Sequence, residues 1–599
     1  MRLQRLFPLL ACVLTILVGA PGVAAQNSTT TGQIRGQVLG ESGEVVQSAV
    51  ITARNVDTGL ERTGLTDQNG RYVIRLLPPG MYVVRSDVIG FEQRESPPVR
   101  VTIGRAAQVN LTLSTQAVEL EGITVSADRP PIDVSDGGVT QYVGELEIED
   151  LPALGRDFTD FINLSGLVAP DPGETTGGQF SIAGMRASQT SIQIDGVDAN
   201  NSFFGENRGG SRIPFVFSLE SIKEFQIITN GFDVEHGRFG GGIINVITRG
   251  GTNEFEGSLY GNFRNDALTS SPCSPGGTEV TTDYEVQQFS GSLSGPIIQD
   301  KAFFLVSLDG QRRREPQLPL TRERFGPDGQ RPDPVLFDEM GEYFDVLSDQ
   351  YGITSPATGY QPFETTNDAI TLFGRVDWNF NQDHRLSVRH NYSNFSNDNE
   401  WNGNFDFDYG LSRAEEFTDV SNSFVAELQS VLGDNTFNVF RFQFSDEERP
   451  RQGKDLRPAL TVNLSNGQQA RYGGTFASYN NRLDERKFQF VNNFTQVMGN
   501  HTLKAGGNFL FTNFFNRFQN FGSQFQGAGE YRFANLEDFR NFRPSSYFRP
   551  IQEGGGIPTS EFDVFEWSLY LQDEWQVSPK LTATLGLRYD QQSFRDSPT

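Results

Sequence analysis

Four histidines, His236, His384, His390 and His501, are the side chains of this 599-residue chain best suited to bind a metal or move a proton near neutral pH. They are too few and too scattered for a metal or acid–base site. His384 and His390 share strand parity, but a surface or headgroup position accounts for them better than a ligand pair does. Gly291-Ser292-Leu293-Ser294-Gly295 has the outline of a hydrolase elbow, yet Leu293 stands where the nucleophilic serine must be. The acids of Asp195-Gly196-Val197-Asp198 lack the spacing of a calcium loop. Of the cysteines, Cys12 falls in an N-terminal leader, which leaves Cys273 with no intramolecular partner and no cysteine metal site. The chain is expected to have no catalytic residue, metal or cofactor, and not to be an enzyme.

The leader is read from Arg2 and Arg5, an apolar run over 6–20, and Val23-Ala24-Ala25: a secretory signal at 1–25, cleaved before Gln26. A membrane anchor and a lipoprotein signal ending at Cys12 are the alternatives. The run is short for a bilayer span, and it continues well past Cys12. Mean hydropathy is -0.42, and no second apolar run long enough for a membrane helix exists. A net charge of -26 argues against nucleic acid as a partner. An acidic soluble protein would fit these numbers, but 50 Phe and 63 Gly fit a β-barrel with aromatic girdles and polar loops better.

The elements begin at 33–114, where β-type runs at 34–39, 50–55, 70–76, 81–87, 99–103 and 108–113 alternate with turn signals. Asp67-Gln68-Asn69-Gly70 and Leu77-Pro78-Pro79-Gly80 supply the turn chemistry. About seven strands at this spacing predict a small antiparallel β-sandwich. The run Thr66 to Tyr72, followed by Leu77-Pro78-Pro79-Gly80-Met81-Tyr82, resembles the carboxypeptidase regulatory-like domain. That resemblance brings no peptidase, because no metal-ligand cluster is present and no His precedes His236. The domain reads as a spacer or interaction module.

At 119–131 an isolated β-prone stretch, Ile123-Thr124-Val125-Ser126-Ala127, lies between acidic residues and Pro130-Pro131. Taken alone it is a linker. From 132 to 252 follow a predicted helix over 156–164 and four motifs: Phe180-Ser181-Ile182-Ala183-Gly184-Met185-Arg186, Ile192-Gln193-Ile194-Asp195-Gly196-Val197, Ile222-Lys223-Glu224-Phe225-Gln226-Ile227, and Phe239-Gly240-Gly241-Gly242-Ile243-Ile244-Asn245-Val246. In this order they resemble the α+β plug of TonB-dependent receptors, with Thr229-Asn230-Gly231 where the family often has Arg-Gly-Pro. The resemblance implies that Ile123, Thr124, Val125, Ser126 and Ala127 form a TonB box, which pairs with the periplasmic energy-coupling protein. It also implies structural or gating roles for Gly184, Arg186, Asp195, Gly196, Gly240, Gly241, Gly242 and Asn245. The residues themselves suggest folding: glycine lets the backbone turn tightly and approach a wall where a side chain would clash.

Over 253–599 the dominant signal is strand alternation. Ile370, Leu372, Gly374, Val376, Trp378 and Phe380 fall on one face; Thr371, Phe373, Arg375, Asp377 and Asn379 fall on the other. Leu386, Val388 and Tyr392 repeat the rule after a turn at 381–383, and so do Leu581, Ala583, Leu585, Leu587 and Tyr589 after one at 578–580. One face suits lipid and the other water, so Arg is expected to be harmful at Val376 and tolerated at Asp377. Long polar excursions at 312–366, 394–416 and 521–563 oppose the short turns, as in outer-membrane barrels. Gly291-Ser292-Leu293-Ser294-Gly295-Pro296-Ile297, Asp300-Lys301-Ala302-Phe303-Phe304, Leu569-Tyr570-Leu571-Gln572-Asp573-Glu574-Trp575 and Leu585-Gly586-Leu587-Arg588-Tyr589 resemble the Oar-like subgroup of TonB-dependent receptors. Such barrels have about 22 strands around a plugged lumen. About eleven are counted here, and no aromatic residue closes the last one, so the chain is expected to be C-terminally truncated and its sheet open.

The resemblance implies energy-coupled uptake of an unidentified substrate across the outer membrane. The implied partners are a TonB-type protein with its inner-membrane motor, outer-membrane lipid and an extracellular substrate. The rival reading is a surface binding or adhesion protein that uses the barrel as an anchor.

Overall fold

A computed structural model describes residues 29–114, 140–150, 161–162, 165–170, 180–203, 217–229, 233–238, 240–268, 284–317, 334–353, 363–399, 415–453, 457–473, 481–518, 529–548, 559–578 and 581–595. The leader, the segment 123–127 and Cys273 lie outside them.

The first unit contains β1 (Gly32–Gly40), β2 (Val50–Asn55), β3 (Glu61–Leu65), β4 (Arg71–Leu77), β5 (Gly80–Asp87), β6 (Arg94–Glu95), β7 (Val99–Val101), β8 (Ala106–Gln108) and β9 (Leu111–Leu113). One sheet runs β4-β1-β8 with β9 also on β1; the other runs β3-β2-β5-β6 with β7 on β5. Pairing is antiparallel except along β1, where β8 and β9 are parallel. Ile34, Val38, Ile51, Ile74, Val84 and Leu111 close the space between the sheets. The predicted turn forms as its residues dictate: Asp67 Oδ1 accepts the N–H of Asn69 at 2.7 Å and of Arg71 at 2.8 Å, while Gly70 takes φ +71°.

The second unit has β10 (Thr140–Val143), β11 (Val168–Pro170), β12 (Phe180–Ile182), β13 (Ser191–Ile194), β14 (Val197–Asp198), β15 (Ile222–Ile228) and β16 (Ile243–Thr248). Its main sheet is ordered β10-β15-β16-β13-β14. Of the helix expected over 156–164, Phe161 and Ile162 are described; both are helical and buried. They share a core with Phe225, Ile227 and Ile244, and that core continues into Leu305, Phe373 and Phe395 of the surrounding wall.

The wall and its loops comprise β17 (Glu256–Asn265), β18 (Glu285–Ile298), β19 (Ala302–Gln317), β20 (Phe363–Asn379), β21 (His384–Asn399), β22 (Glu415–Gly433), β23 (Thr436–Gly453), β24 (Ala459–Asn463), β25 (Gln469–Tyr472), β26 (Arg482–Met498), β27 (His501–Arg517), β28 (Glu530–Phe533), β29 (Ser546–Phe548), β30 (Thr559–Ser578) and β31 (Leu581–Phe594). Eleven of them form one sheet, β17-β18-β19-β20-β21-β22-β23-β26-β27-β30-β31, each strand antiparallel to the next. The first and last strands do not pair, so the sheet is an open part of a barrel. Alternation sets its faces as expected: Leu372 is 50% and Trp378 46% exposed, whereas Thr371 and Phe373 are buried. Outward phenylalanines pack across strands with tilted rings, Phe442 on Phe490 at 5.1 Å and Phe444 on Phe488 at 5.0 Å, in rows suited to lipid.

Two expectations need correction. Asp377 does not face water: it is buried, takes Arg375 Nε at 2.9 Å and Arg385 Nη2 at 2.6 Å, and accepts the Ser387 hydroxyl. The inner face meets the plug unit rather than a channel, so Arg at 377 would remove a shared acceptor and set a third cation beside two others. We expect Asp377→Arg to lower the yield of heat-modifiable protein on gels, not to be tolerated. Two of the three long excursions, 312–366 and 521–563, are not simply polar loops either, and the stretch between β23 and β26 joins them. Barrel strands run on into them, and helix Pro334–Tyr351 packs with helix Leu536–Arg540 and the sheet β25-β24-β28-β29. Their shared core holds Tyr343, Leu347, Leu460, Val462, Tyr472, Phe533 and Phe539. Three chain excursions thus fold into one cap at the end of the barrel opposite the short turns.

Candidate functional site: the plug unit against the barrel wall

Asp195 and Gly196 form the two-residue turn of the β13–β14 hairpin, both with positive φ, +53° and +73°. The turn delivers the Asp195 carboxylate to the wall. Its Oδ2 accepts Arg389 Nε at 2.5 Å, and its Oδ1 accepts the Thr248 N–H at 3.0 Å. Arg389 also donates to the Ile194 carbonyl at 3.0 Å, and Arg375 donates to that of Thr248 at 2.8 Å. Glycine is required at 196 for a second reason, since a Cβ there would sit 2.9 Å from the Arg441 guanidinium carbon. On β16, Asn245 is fully buried and donates to the Thr29 carbonyl.

The other predicted residues lie elsewhere. Gly184, at φ +79°, turns the chain after β12, and Arg186 precedes a short 3-10 turn over Ala187–Gln189. Gly240 donates to the Gln189 carbonyl at 2.9 Å. Cβ atoms at Gly241 and Gly242 would each meet a neighbour at 2.6 Å, the Met185 Cβ and the Ile182 Cγ2. These glycines close the plug unit on itself. Asp195 and Gly196 face the wall, and Asn245 faces Thr29 in the segment that leads into the sandwich.

The densest contact was not among the predicted residues. Asp233 takes Lys504 Nζ at 2.6 Å; Glu235 takes the same Nζ at 3.3 Å and Arg441 Nη1 at 3.3 Å. Arg588 donates to the Val234 carbonyl at 2.8 Å, and the Val234 N–H donates to Gln572 at 3.1 Å. Asp198 faces Lys487 at 3.3 Å. The signal was the inward parity of Arg389, Arg441, Lys487 and Lys504 on barrel strands, opposite an acidic plug unit. Buried charges of this kind must be matched, because removing one partner strands the other at a cost of about 3–5 kcal/mol.

Burial alone would push the Glu235 carboxyl up, but Lys504 and Arg441 outweigh it and hold the group down at about 2. Asp198 is lowered in the same way against burial, chiefly by Lys487. Burial depresses His236 and keeps it neutral near pH 7 despite Asp233 and Glu235. A carboxyl lowered in the folded state contributes stability above its ordinary value of 4.5 and loses it as the pH falls toward 2. The difference in thermal midpoint between the native protein and Glu235→Gln is therefore expected to be largest above pH 4.5 and to close below it.

Among the described residues no cluster of three His, Cys, Asp or Glu side chains could hold a metal. His384 meets the Ser430 hydroxyl at 3.0 Å; His501 meets Asp573 at 2.7 Å and stacks on Trp575 at 5.6 Å. The interface between plug unit and wall is held by matched buried charges, with Arg389, Arg441, Lys487 and Lys504 all nearly inaccessible.

The outer membrane beta barrel domain family matches residues 247–325 and 347–597, and the carboxypeptidase regulatory-like domain family matches residues 33–114. A curated relative, the TonB-dependent transporter Oar of Myxococcus xanthus, is 28% identical over 374 residues, which is 61% of this chain and 33% of that protein. Among solved structures, the outer membrane transporter YddB from Escherichia coli superposes with a TM-score of 0.51 at 14% identity, covering 76% of this chain and 56% of that one. The chain thus spans 33% of the curated relative's length and 56% of the solved neighbour's.

Proposed function

The chain belongs to the outer membrane beta barrel domain family, and from that premise we propose that it is the plug-bearing part of a TonB-dependent transporter that takes up a substrate across the outer membrane. The cap is the first surface a substrate meets, the plug unit obstructs the lumen, and force applied at Ile123–Ala127 by a TonB-type protein rearranges the plug. The observation that carries this reading is the set of matched charges between plug and wall. Buried ion pairs are weak stabilisers compared with apolar packing. They suit a body that must leave its seat and return to one register. A ligand shifts the plug only by its differential affinity for two states, so uphill uptake requires the motor.

The rival reading, surface binding or adhesion with the barrel as anchor, draws on the folded cap, where Phe542 and Tyr547 are exposed. Deleting residues 123–127 from the full-length protein separates the two. Transport predicts that uptake is lost while surface binding persists; retained uptake overturns the coupling role, and binding with no uptake in the native protein favours adhesion. Growth of a knockout strain on a substrate panel would identify the substrate.

A further inference from the structure

The sandwich is not a free spacer but sits across the short-turn end of the barrel. Arg62 donates to the Gln382 carbonyl in the β20–β21 turn, and the Asp57 carbonyl accepts the Asn253 N–H at 2.9 Å. Leu76 is buried with Phe437 and Val439 at the start of β23. A cavity of about 90 Å³ remains between sandwich, plug and wall, where Asn55 and Pro78 of the sandwich meet Lys223 and Asp195 of the plug unit and Arg375 and Asp377 of the wall.

The sandwich also grips one particular part of the plug. The turn between β7 and β8 lies on the β10–β15 pair: the Ile103 N–H donates to Glu224 Oε1 at 2.8 Å, and the Arg105 guanidinium stands 3.6 Å from the Tyr142 ring centroid. Tyr142 in turn accepts Gln226 Nε2 at 3.1 Å, and Gly104, at φ +65°, sits against that same amide. The segment leading into the sandwich is tied in as well. Thr29 Oγ1 donates to Glu235 at 2.9 Å, Thr30 Oγ1 donates to Glu427 at 2.9 Å, and the Gly104 N–H donates to the Thr31 carbonyl at 3.1 Å.

β10 is the edge of the plug sheet, joined to β15 by four residue pairs from Thr140↔Ile228 to Val143↔Phe225. It is also the first described plug strand after residue 127. Along the chain from 123–127 Thr140 is the first described residue, so a pull from that side meets those pairs at their Thr140 end. Four antiparallel pairs at a sheet edge resist such opening weakly. The contacts from Ile103 and Arg105 fall on this edge.

We propose that the N-terminal sandwich is a latch: its 102–105 turn holds β10 on the plug sheet, and β10 separates only after the sandwich has lifted from the short-turn end of the barrel. The route of the force rests on the transport reading, but the latch itself does not. An ideal Cβ at Gly59 lies 3.5 Å from the Asp300 Cβ, within reach of a disulfide. Gly59 takes φ +68°, where Cys is strained, so the comparison is made within one variant: Gly59→Cys with Asp300→Cys, in a Cys273→Ser background of the full-length protein, read oxidised and reduced, with folding of the reduced form first checked by the exchange of β13 and β16.

The readout is amide hydrogen exchange. Oxidation is expected to slow exchange at Thr140–Val143 at least about tenfold relative to the reduced form, and Arg105→Ala with Glu224→Ala to accelerate it about tenfold while β13 and β16 keep their rates. Equal exchange at β10 in the oxidised and reduced forms would overturn the latch. So would equal acceleration of β16 in the double variant, which would mean general loosening. Because exchange is read without any substrate, a protein that fails to transport would still decide the matter, and the two readings fail separately.

Discussion

Arginine in place of Leu372 is expected to abolish most assembly of the barrel, whereas methionine at the same position leaves it intact. Leu372 projects outward from the middle of β20, between Ile370 and Gly374 on the same face, and is half exposed. A charge on the lipid face costs about 2–4 kcal/mol at the bilayer midplane and about 0–1 near its borders. Depth follows from the aromatic residues at the strand's end, where Trp378 packs on Phe380 at 4.6 Å beside the short turn. An apolar band of about 25 Å places its midplane roughly five residues inward from that girdle. Val376 lies only two residues from Trp378, so Val376→Arg should be the milder change of the two. Heat-modifiability on gels, with membrane-fraction yield, checks the order; equal yields from Leu372→Arg and Leu372→Met would contradict the assignment of the outer face.

Proline at Thr124 or Val125 is expected to abolish energy-dependent uptake by the full-length protein without changing its level or its surface binding. An extended segment joins a partner's sheet through main-chain hydrogen bonds, with modest demands on side chains. Proline removes one donor and fixes φ, whereas alanine keeps both options and should do far less harm. The described barrel strands and cap are built from residues 256–594, so their folding is not at stake. Normal transport by the proline variants would leave 123–127 a linker and move the coupling site elsewhere. Slower uptake with alanine than with proline would also contradict a main-chain mode.

Alternation with period two was enough to set the faces of β20 and β21, because successive side chains of a strand point to opposite sides whatever lies around them. Local turn chemistry was equally legible. Asp67 to Gly70 makes its turn from its own side chain and backbone, through Asp67 and the N–H groups of Asn69 and Arg71. Glycines 241 and 242 are close-approach positions as expected, but they approach Met185 and Ile182 of the plug unit itself and not the barrel wall that the sequence suggested.

What parity could not say was what fills the inside. Phe373, placed by alternation among water-facing residues, packs instead on Phe217 of the plug unit, with ring centroids 6.4 Å apart, and Asp377 is locked between two arginines. An inward side chain looks the same in sequence whether a channel or a protein body faces it. The cap was hidden for a related reason: helix Pro334–Tyr351 buries Tyr343 and Leu347 against Leu460, Val462 and Phe533, which belong to two other excursions. Each excursion alone holds too few apolar residues to announce a core. The matches of Asp233 and Glu235 with Lys504, of Asp195 with Arg389, and of Glu224 with the Ile103 N–H join residues more than a hundred positions apart. Such pairs exist only once the sheet has curved around the plug and the sandwich has docked beneath it, because a charge finds its partner through space and not along the chain.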